Sequence, residues 1–157
     1  MKILKSLILI LMFIVIGSFA GEKILIDYGK DKCNFCSMPV KNEKVGSFAI
    51  TADGKKLTFC TIECAVGYYI QNKDTIKQLK VPNYLNPSEF LDAKDAVYLQ
   101  SEKLKTPMGM NISAYKTKED ALKMQKEYGG KIMNWEELQK AIKEEFLPRF
   151  QHKMHHH

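Results

Sequence analysis

Hydrophobic and polar positions alternate along the chain in an order that predicts short strands followed by helices. Val45 to Thr51 alternates as a strand, and after a turn signal Lys56 to Phe59 returns as a second strand. From Thr61 to Asn72 apolar residues recur at helical spacing. A loop or short strand then follows through Pro82 and Pro87.

The second half of the chain repeats this order. It predicts a strand, a returning strand, a helix ended by Gly129-Gly130, a short strand, and a last helix capped by Asn134 and closed by Pro148. These elements span Ala96 to Gln100, Ile112 to Lys116, Thr117 to Tyr128, Lys131 to Met133 and Trp135 to Phe146. Each half therefore reads hairpin, helix and strand, and the predicted class is α+β. Residues expected to pack in the core rather than to form a site include Tyr68, Tyr69, Met124, Met133 and Trp135.

The first twenty residues carry a different pattern. Lys2 and Lys5 precede an apolar run over Ser6 to Ile16, and small residues follow, so we expect a signal peptide over residues 1–20 that is cleaved after Ala20. An uncleaved anchor is the alternative, and membrane association would depend on it. The chain has no cysteine directly after the apolar run, so lipid anchoring is not predicted. We expect the domain proper over 21–147 and a flexible, histidine-containing tail over 148–157.

Charge and histidine content exclude several classes of function. Loss of the signal removes two lysines and lowers the net charge from +6 to +4. This mild excess is interleaved with acids, so we expect a soluble protein with a weak attraction to acidic surfaces and no nucleic-acid face. Every histidine lies among His152, His155, His156 and His157, so no Cys-His pair is available in the body of the chain. These histidines form either a metal-binding tail or a cloning remnant. The sequence predicts no enzyme.

Cys36 and Met38 carry the most informative chemistry. In an extended segment, residues two apart project to the same side, so both sulfurs could reach one ion. A thiolate and a thioether are soft ligands that favour Cu(I), and Cys33 could add a third sulfur. The alternative is that Met38 is merely apolar and that Cys33 and Cys36 form a disulfide in an oxidising compartment. A thiol-disulfide oxidoreductase is weaker, because that chemistry places its first cysteine at a helix start.

The remaining sulfur residues admit several interpretations. Cys60 and Cys64, counted with Cys33 and Cys36, give a C-x-x-C and C-x-x-x-C set that resembles a treble-clef or TRASH-type zinc site. We expect Cys64 to be a buried helical thiol instead, and Cys60 stays open between a packed thiol, a disulfide partner and an auxiliary ligand. Met108 and Met110 lie in a turn, Thr106-Pro107-Met108-Gly109-Met110, where Met108 is a candidate distant ligand.

Together these motifs resemble the NosL family. The resemblance runs through C-N-F-C-S-M, T-F-C-T-I-E-C-A-V-G-Y, T-P-M-G-M-N-I-S-A-Y and E-D-A-L-K-M-Q-K-E-Y-G-G-K-I-M-N-W-E-E-L. It implies a fold of two ββαβ units, similar to the mercury lyase accessory domain, with a C-terminal helix. It also implies a periplasmic Cu(I) chaperone that serves maturation of nitrous-oxide reductase in denitrification, with that enzyme or its assembly machinery as partner.

Carried over by position, the resemblance implies Cys36 and Met38 as copper ligands, Met108 closing the site from the second half, and Cys33 in a supporting role. Cys60, Cys64 and Met110 are possible auxiliary ligands. Two features depart from the family pattern: the absent lipoprotein cysteine, and the presence of Cys60 with the histidine tail. The hypothesis from another class is a four-cysteine zinc or heavy-metal domain that acts as an interaction or metal-sensing module.

Overall fold

The structure, a computed structural model, describes residues 25–154. The predicted signal peptide and the last three histidines lie outside the described residues. Strands and helices follow the order β1 (Ser47–Thr51), β2 (Lys56–Phe59), α1 (Ile62–Gln71), a 3₁₀ turn (Lys73–Thr75), β3 (Ile76–Asn83), β4 (Asn86–Asp92), β5 (Val97–Gln100), β6 (Ile112–Tyr115), α2 (Lys118–Tyr128), β7 (Lys131–Met133), α3 (Trp135–Ala141), a π-helical segment (Ile142–Phe146) and α4 (Leu147–Met154).

Two antiparallel sheets divide the strands between the halves of the chain. The first has the order β2-β1-β3-β4 and the second the order β6-β5-β7. In each, the first strand of a hairpin lies between its partner and the strand that follows the helix. This arrangement confirms the α+β fold of two ββαβ units with a C-terminal helix. The first unit adds β4 at its edge.

The segment between α1 and β5 differs from the prediction of a loop or short strand. It forms the hairpin β3–β4, with strands of eight and seven residues. Both prolines are tolerated because their missing N–H groups are not needed: Pro87 lies on the edge strand, and Pro82 lies beyond Lys80, where pairing of β3 with β1 ends. This hairpin also joins the sheets, since the Tyr84 N–H donates to the Ala114 carbonyl at 2.8 Å.

Helix ends follow the caps that the sequence predicts. Thr117 accepts from the Asp120 N–H at 3.1 Å, and α2 ends where Gly129 and Gly130 take positive φ angles of 69° and 106°. A Cβ on Gly130 would lie 2.1 Å from the Gln100 carbonyl oxygen, so this position requires glycine for close approach as well as for conformation. Asn134 and Glu137 form a capping box at the start of α3.

The end of the last helix was predicted wrongly. The helix does not close at Phe146 but passes through the π-helical segment and continues as α4 to Met154, so the described part of the predicted tail is helical. A proline inside a helix clashes with the carbonyl of the preceding turn, and the wider π turn relieves that crowding just before Pro148. Phe150 of α4 packs against Phe35, with ring centroids 4.6 Å apart. No helix among residues 25–154 has the length and apolarity to cross a membrane.

One core joins both units. It gathers side chains from α1, from both sheets and from α3, and it includes Trp135 and Met133 as predicted. A smaller cluster lies under α2 and includes Met124. Three of the four cysteines belong to the main core, so any site they form lies at its margin.

Candidate metal centre

The first two cysteines lie on a tight turn that we call the knuckle loop, residues 31–40. The Cys33 N–H donates to the Met38 carbonyl at 2.8 Å, and the Ser37 N–H donates to the Cys33 carbonyl at 2.9 Å. Ser37 has a φ of 65°, in the left-handed region. The segment from Cys36 to Met38 is therefore not extended, and the alternation argument for a shared side does not apply to it.

Hydrogen bonds dock the knuckle loop onto β2. The Asn34 N–H donates to the Thr58 carbonyl at 2.8 Å, and the Thr58 N–H donates to Oδ1 of Asn34 at 2.9 Å. The Thr58 hydroxyl also donates to the Lys32 carbonyl at 2.8 Å. These bonds hold the loop at the end of β2, close to the residue that follows the strand.

The other two cysteines lie where β2 turns into α1. Cys60 follows the last residue of β2, and Thr61 is the N-cap, with its hydroxyl oxygen accepting from the Cys64 N–H at 3.3 Å. One helical turn brings the sulfurs of Cys60 and Cys64 to 3.8 Å. Local strand-to-helix geometry thus presents both thiols toward the knuckle loop.

The four thiols form one group, the cysteine cluster: Cys33, Cys36, Cys60 and Cys64. Their Sγ atoms all lie within 4.8 Å of one another, and Cys36 and Cys60 approach to 3.4 Å. All four are free thiols. Cys64 is fully buried, Cys33 and Cys60 are 3% and 2% exposed, and Cys36 is half-buried. The cluster therefore opens to solvent at Cys36.

Cys64 has two roles in the structure, whereas the sequence led us to expect only one of them. Cys64 does pack in the core as expected, but its sulfur also belongs to the cysteine cluster. The treble-clef spacing was the signal that pointed to this arrangement, whereas helical burial was the signal that we preferred. The two are compatible because the site itself is built at the edge of the core.

Mutual contacts set the protonation of the cluster. Hydrogen bonds from Cys36, Cys60 and Cys64 lower the pKa of the Cys33 thiol well below its usual range. Contacts with Cys33 raise the pKa of the Cys60 and Cys64 thiols. The pKa of the Cys36 thiol is also lowered, because its contact with Cys33 raises it less than the hydrogen bonds with Cys60 and Cys64, together with a backbone hydrogen bond, lower it. Ionisation is therefore easiest at the two thiols of the knuckle loop and is resisted at Cys60 and Cys64, because like charges in a buried space repel. A bound cation would remove that resistance.

The predicted thioether ligands Met38 and Met108 lie on two different loops, the knuckle loop and the turn between β5 and β6. Met38 follows Cys36 in the knuckle loop and is 44% exposed. Met108 is half-buried and lines a cavity of about 170 Å³ with Phe146, Arg149 and Phe150. Met110 is 1% exposed, and its sulfur accepts a hydrogen bond from Nη2 of Arg149 at 2.8 Å. The guanidinium of Arg149 therefore competes with a metal ion for the Met110 sulfur.

Glu63 is a buried acid that sequence reasoning missed. It precedes Cys64 on α1 and is fully buried, and its Oε1 accepts from the Thr106 hydroxyl at 2.7 Å and from the Met110 N–H at 3.2 Å. These bonds tie the turn that carries Met108 to the helix start that carries two cysteines. An acid within the apolar run Ile62 to Val66 was the signal that could have revealed it.

His152 lies on α4 with an exposed side chain. Residues 25–154 contain no other histidine, and the cluster of candidate metal ligands found among them consists of four cysteines.

Comparisons with known proteins identify the family of the chain. The NosL family model matches residues 27–143. The copper-binding lipoprotein NosL of Stutzerimonas stutzeri is 23% identical over 140 residues, which cover 83% of this chain and 73% of that protein. The crystal structure of the copper chaperone NosL from Shewanella denitrificans superposes with a TM-score of 0.60 at 21% identity, covering 69% of this chain and 89% of that one. The family match spans most of the chain, and the chain belongs to the NosL family.

Proposed function

We propose that this protein is an exported Cu(I)-binding metallochaperone that delivers copper to nitrous-oxide reductase during maturation of its copper centre. Family membership supports a copper-binding role, since relatives are named as a copper-binding lipoprotein and a copper chaperone. The donors gathered at the site are four thiols, and soft sulfur ligands select Cu(I) over hard cations. The role proposed is that of a carrier, not an enzyme.

The cysteine cluster, opening at Cys36, is the observation that carries this proposal. A carrier must bind its ion tightly and still release it, and release by ligand exchange needs a donor that a partner can approach. Cys36 meets that need because it is half-buried while the other three thiols are buried. A partner's sulfur can attack an ion at Cys36 before the ion leaves this chain.

From the family resemblance we propose three copper ligands, Cys36, Met38 and Met108. Cys33 has a supporting role. Met38 lies two residues after Cys36 and is exposed, so an incoming ion can reach its sulfur from solvent. The bonds from Glu63 to Thr106 and Met110 hold the Met108 turn against the helix of Cys64. Both thioethers therefore lie on elements anchored to the cluster.

Anaerobic Cu(I) titration against a chromophoric competitor tests this ligand set. We expect Met38→Leu and Met108→Leu each to weaken binding about tenfold, the equivalent of about 1.4 kcal/mol. Met124→Leu is the matched control, because it removes a thioether from the cluster under α2 while conserving volume. If neither Met38→Leu nor Met108→Leu weakens Cu(I) binding, these thioethers are not ligands.

Delivery requires a second measurement. The Cu(I)-loaded protein is mixed with nitrous-oxide reductase lacking its copper centre, and copper transfer and recovered activity are followed. We expect transfer faster than from an equal concentration of a small-molecule Cu(I) complex, and slower transfer from Cys36→Ser. Equal rates from the protein and the complex would refute the delivery role while leaving copper binding intact.

A structural zinc domain is the second candidate, and the spacing of the sulfurs favours it. Tetrahedral Zn(II) with Zn–S bonds of about 2.3 Å has sulfur–sulfur edges of about 3.8 Å. The Cys60–Cys64 separation is 3.8 Å. A structural zinc site would make folding depend on the metal, so chelation should unfold the chain. Circular dichroism that is unchanged by chelation, together with Cu(I) uptake, would exclude this candidate.

A further inference from the structure

We propose that the chain holds two Cu(I) ions, an inner one bound by Cys33, Cys60 and Cys64 and an outer one bound by Cys36 with Met38 and Met108. This inference rests on the proposed copper function, adds a second ion to it, and moves Cys33 from its supporting role at the outer ion to the inner one. Three observations carry it: the number of sulfur donors, their charge when ionised, and the gradient of burial across the cluster.

The number of donors exceeds what one ion needs. Four thiols have their sulfurs within 4.8 Å of one another, and the two thioethers lie on elements anchored to them. Cu(I) in sulfur sites is satisfied by roughly three ligands. One ion would therefore leave Cys60 or Cys64 as a buried donor facing other sulfurs with no function, whereas two ions use the whole set.

Charge permits two monovalent ions at the cluster. Four ionised thiols carry a formal charge of −4, which two Cu(I) ions reduce to −2. Uncompensated charge is costly where side chains are excluded from water, and three of these thiols are at most 3% exposed. A second Cu(I) brings the cluster to the same net charge as a four-cysteine zinc site.

Burial separates the two positions. Cys33, Cys60 and Cys64 are enclosed by core side chains, whereas Cys36 reaches solvent. Cys60 links the positions, because its sulfur lies 3.8 Å from that of Cys64 and 3.4 Å from that of Cys36. An ion can therefore pass between the inner and outer positions by exchanging neighbouring sulfurs. The outer ion is the one that a partner removes, and the inner ion is the reserve.

Side-chain placement beyond the cluster supports this division. Phe35 precedes Cys36 and packs against Phe146 and Phe150, at centroid distances of 5.8 and 4.6 Å. Phe146 and Phe150 also line the cavity beside Met108. The aromatic group thus connects Phe35, the neighbour of Cys36 in the knuckle loop, with the cavity beside Met108.

Anaerobic titration followed by native mass spectrometry tests the inference on the full chain. We expect the wild type to take up two Cu(I) ions, the outer one exchanging with a competitor at least tenfold faster. The double variant Cys60→Ser, Cys64→Ser should retain one fast-exchanging ion, and the double variant Met38→Leu, Met108→Leu should retain one slow-exchanging ion. Circular dichroism checks that each variant folds.

Several results would overturn the proposal. A wild type that binds one Cu(I) ion would contradict it while leaving the chaperone role intact, and a wild type that binds none would remove both. Uptake of one Zn(II) that blocks Cu(I) would assign the four thiols to a single zinc ion. X-ray absorption of the doubly loaded wild type gives a check that needs no variant: a copper shell made of sulfur alone supports the two ligand sets, and a shell dominated by nitrogen or oxygen refutes them.

Discussion

Glu63 gives the sharpest test of how the two halves of the chain are joined. Its carboxyl group is fully buried, accepts from Thr106 and Met110 through Oε1, and has no hydrogen-bond partner at Oε2 within the described residues. Glu63→Ala would leave the buried Met110 N–H unpaired and open a cavity, so we expect a loss of about 2–4 kcal/mol in the free energy of unfolding. Glu63→Gln keeps an acceptor at Oε1 and removes only the ionisation.

The pH dependence separates these effects. Burial raises the pKa of the Glu63 carboxyl, although the hydrogen bond from Thr106 acts in the lowering direction. The unfolded chain releases this proton near the ordinary value of about 4.3, and the native chain keeps it to higher pH. Between those values the native state binds more protons, so the free energy of unfolding falls as pH rises, by at most about 1.4 kcal/mol per pH unit.

Denaturant unfolding of the reduced, metal-free protein across pH 4.5 to 7.5, a range chosen to bracket the onset near about 4.3, measures this slope. We expect Glu63→Gln to remove the fall that Glu63 contributes, and Glu136→Gln, an exposed acid on α3, to leave the profile of the wild type. Parallel profiles for the wild type and Glu63→Gln would refute the argument, because a buried carboxyl with a raised pKa must couple folding to pH.

Three further substitutions test how the site is positioned. Thr61→Ala removes the cap between Cys60 and Cys64 and should cost about 1 kcal/mol and weaken Cu(I) binding, both restored by Thr61→Ser. Gly130→Ala places a methyl group against the carbonyl of the facing strand at a φ of 106° and should lower the free energy of unfolding by roughly 3 kcal/mol. Gly54→Ala should lower it by only about 1 kcal/mol, because no atom lies within 4 Å of the added methyl group there. Phe150→Ala should lower the thermal midpoint through a loss of about 1–2 kcal/mol, and an unchanged midpoint would show that α4 does not stabilise the fold.

Local pattern was enough to predict most of the elements. Hairpins, caps and glycine stops depend on neighbours in sequence, so Thr61, Thr117 and Asn134 could be assigned as helix starts, and the order of two hairpin-helix-strand units followed from them. The prediction was wrong around Pro87 and Pro148, because the energetic cost of a proline there depends on its tertiary surroundings. An edge strand tolerates Pro87, and a π turn tolerates Pro148.

The candidate centre divides in the same way between sequence and structure. Residue types alone established that the chain carries soft sulfur ligands in a C-x-x-C and C-x-x-x-C set, and therefore which metals suit it. Only the tertiary structure decided that all four sulfurs meet, because their contact depends on Asn34 docking the knuckle loop beside β2, twenty-four residues away in sequence. It also decided that Glu63 joins the Met108 turn to α1, a contact across forty-three and forty-seven residues that no local pattern encodes. Long-range packing fixes distances between side chains, whereas sequence fixes only their chemistry.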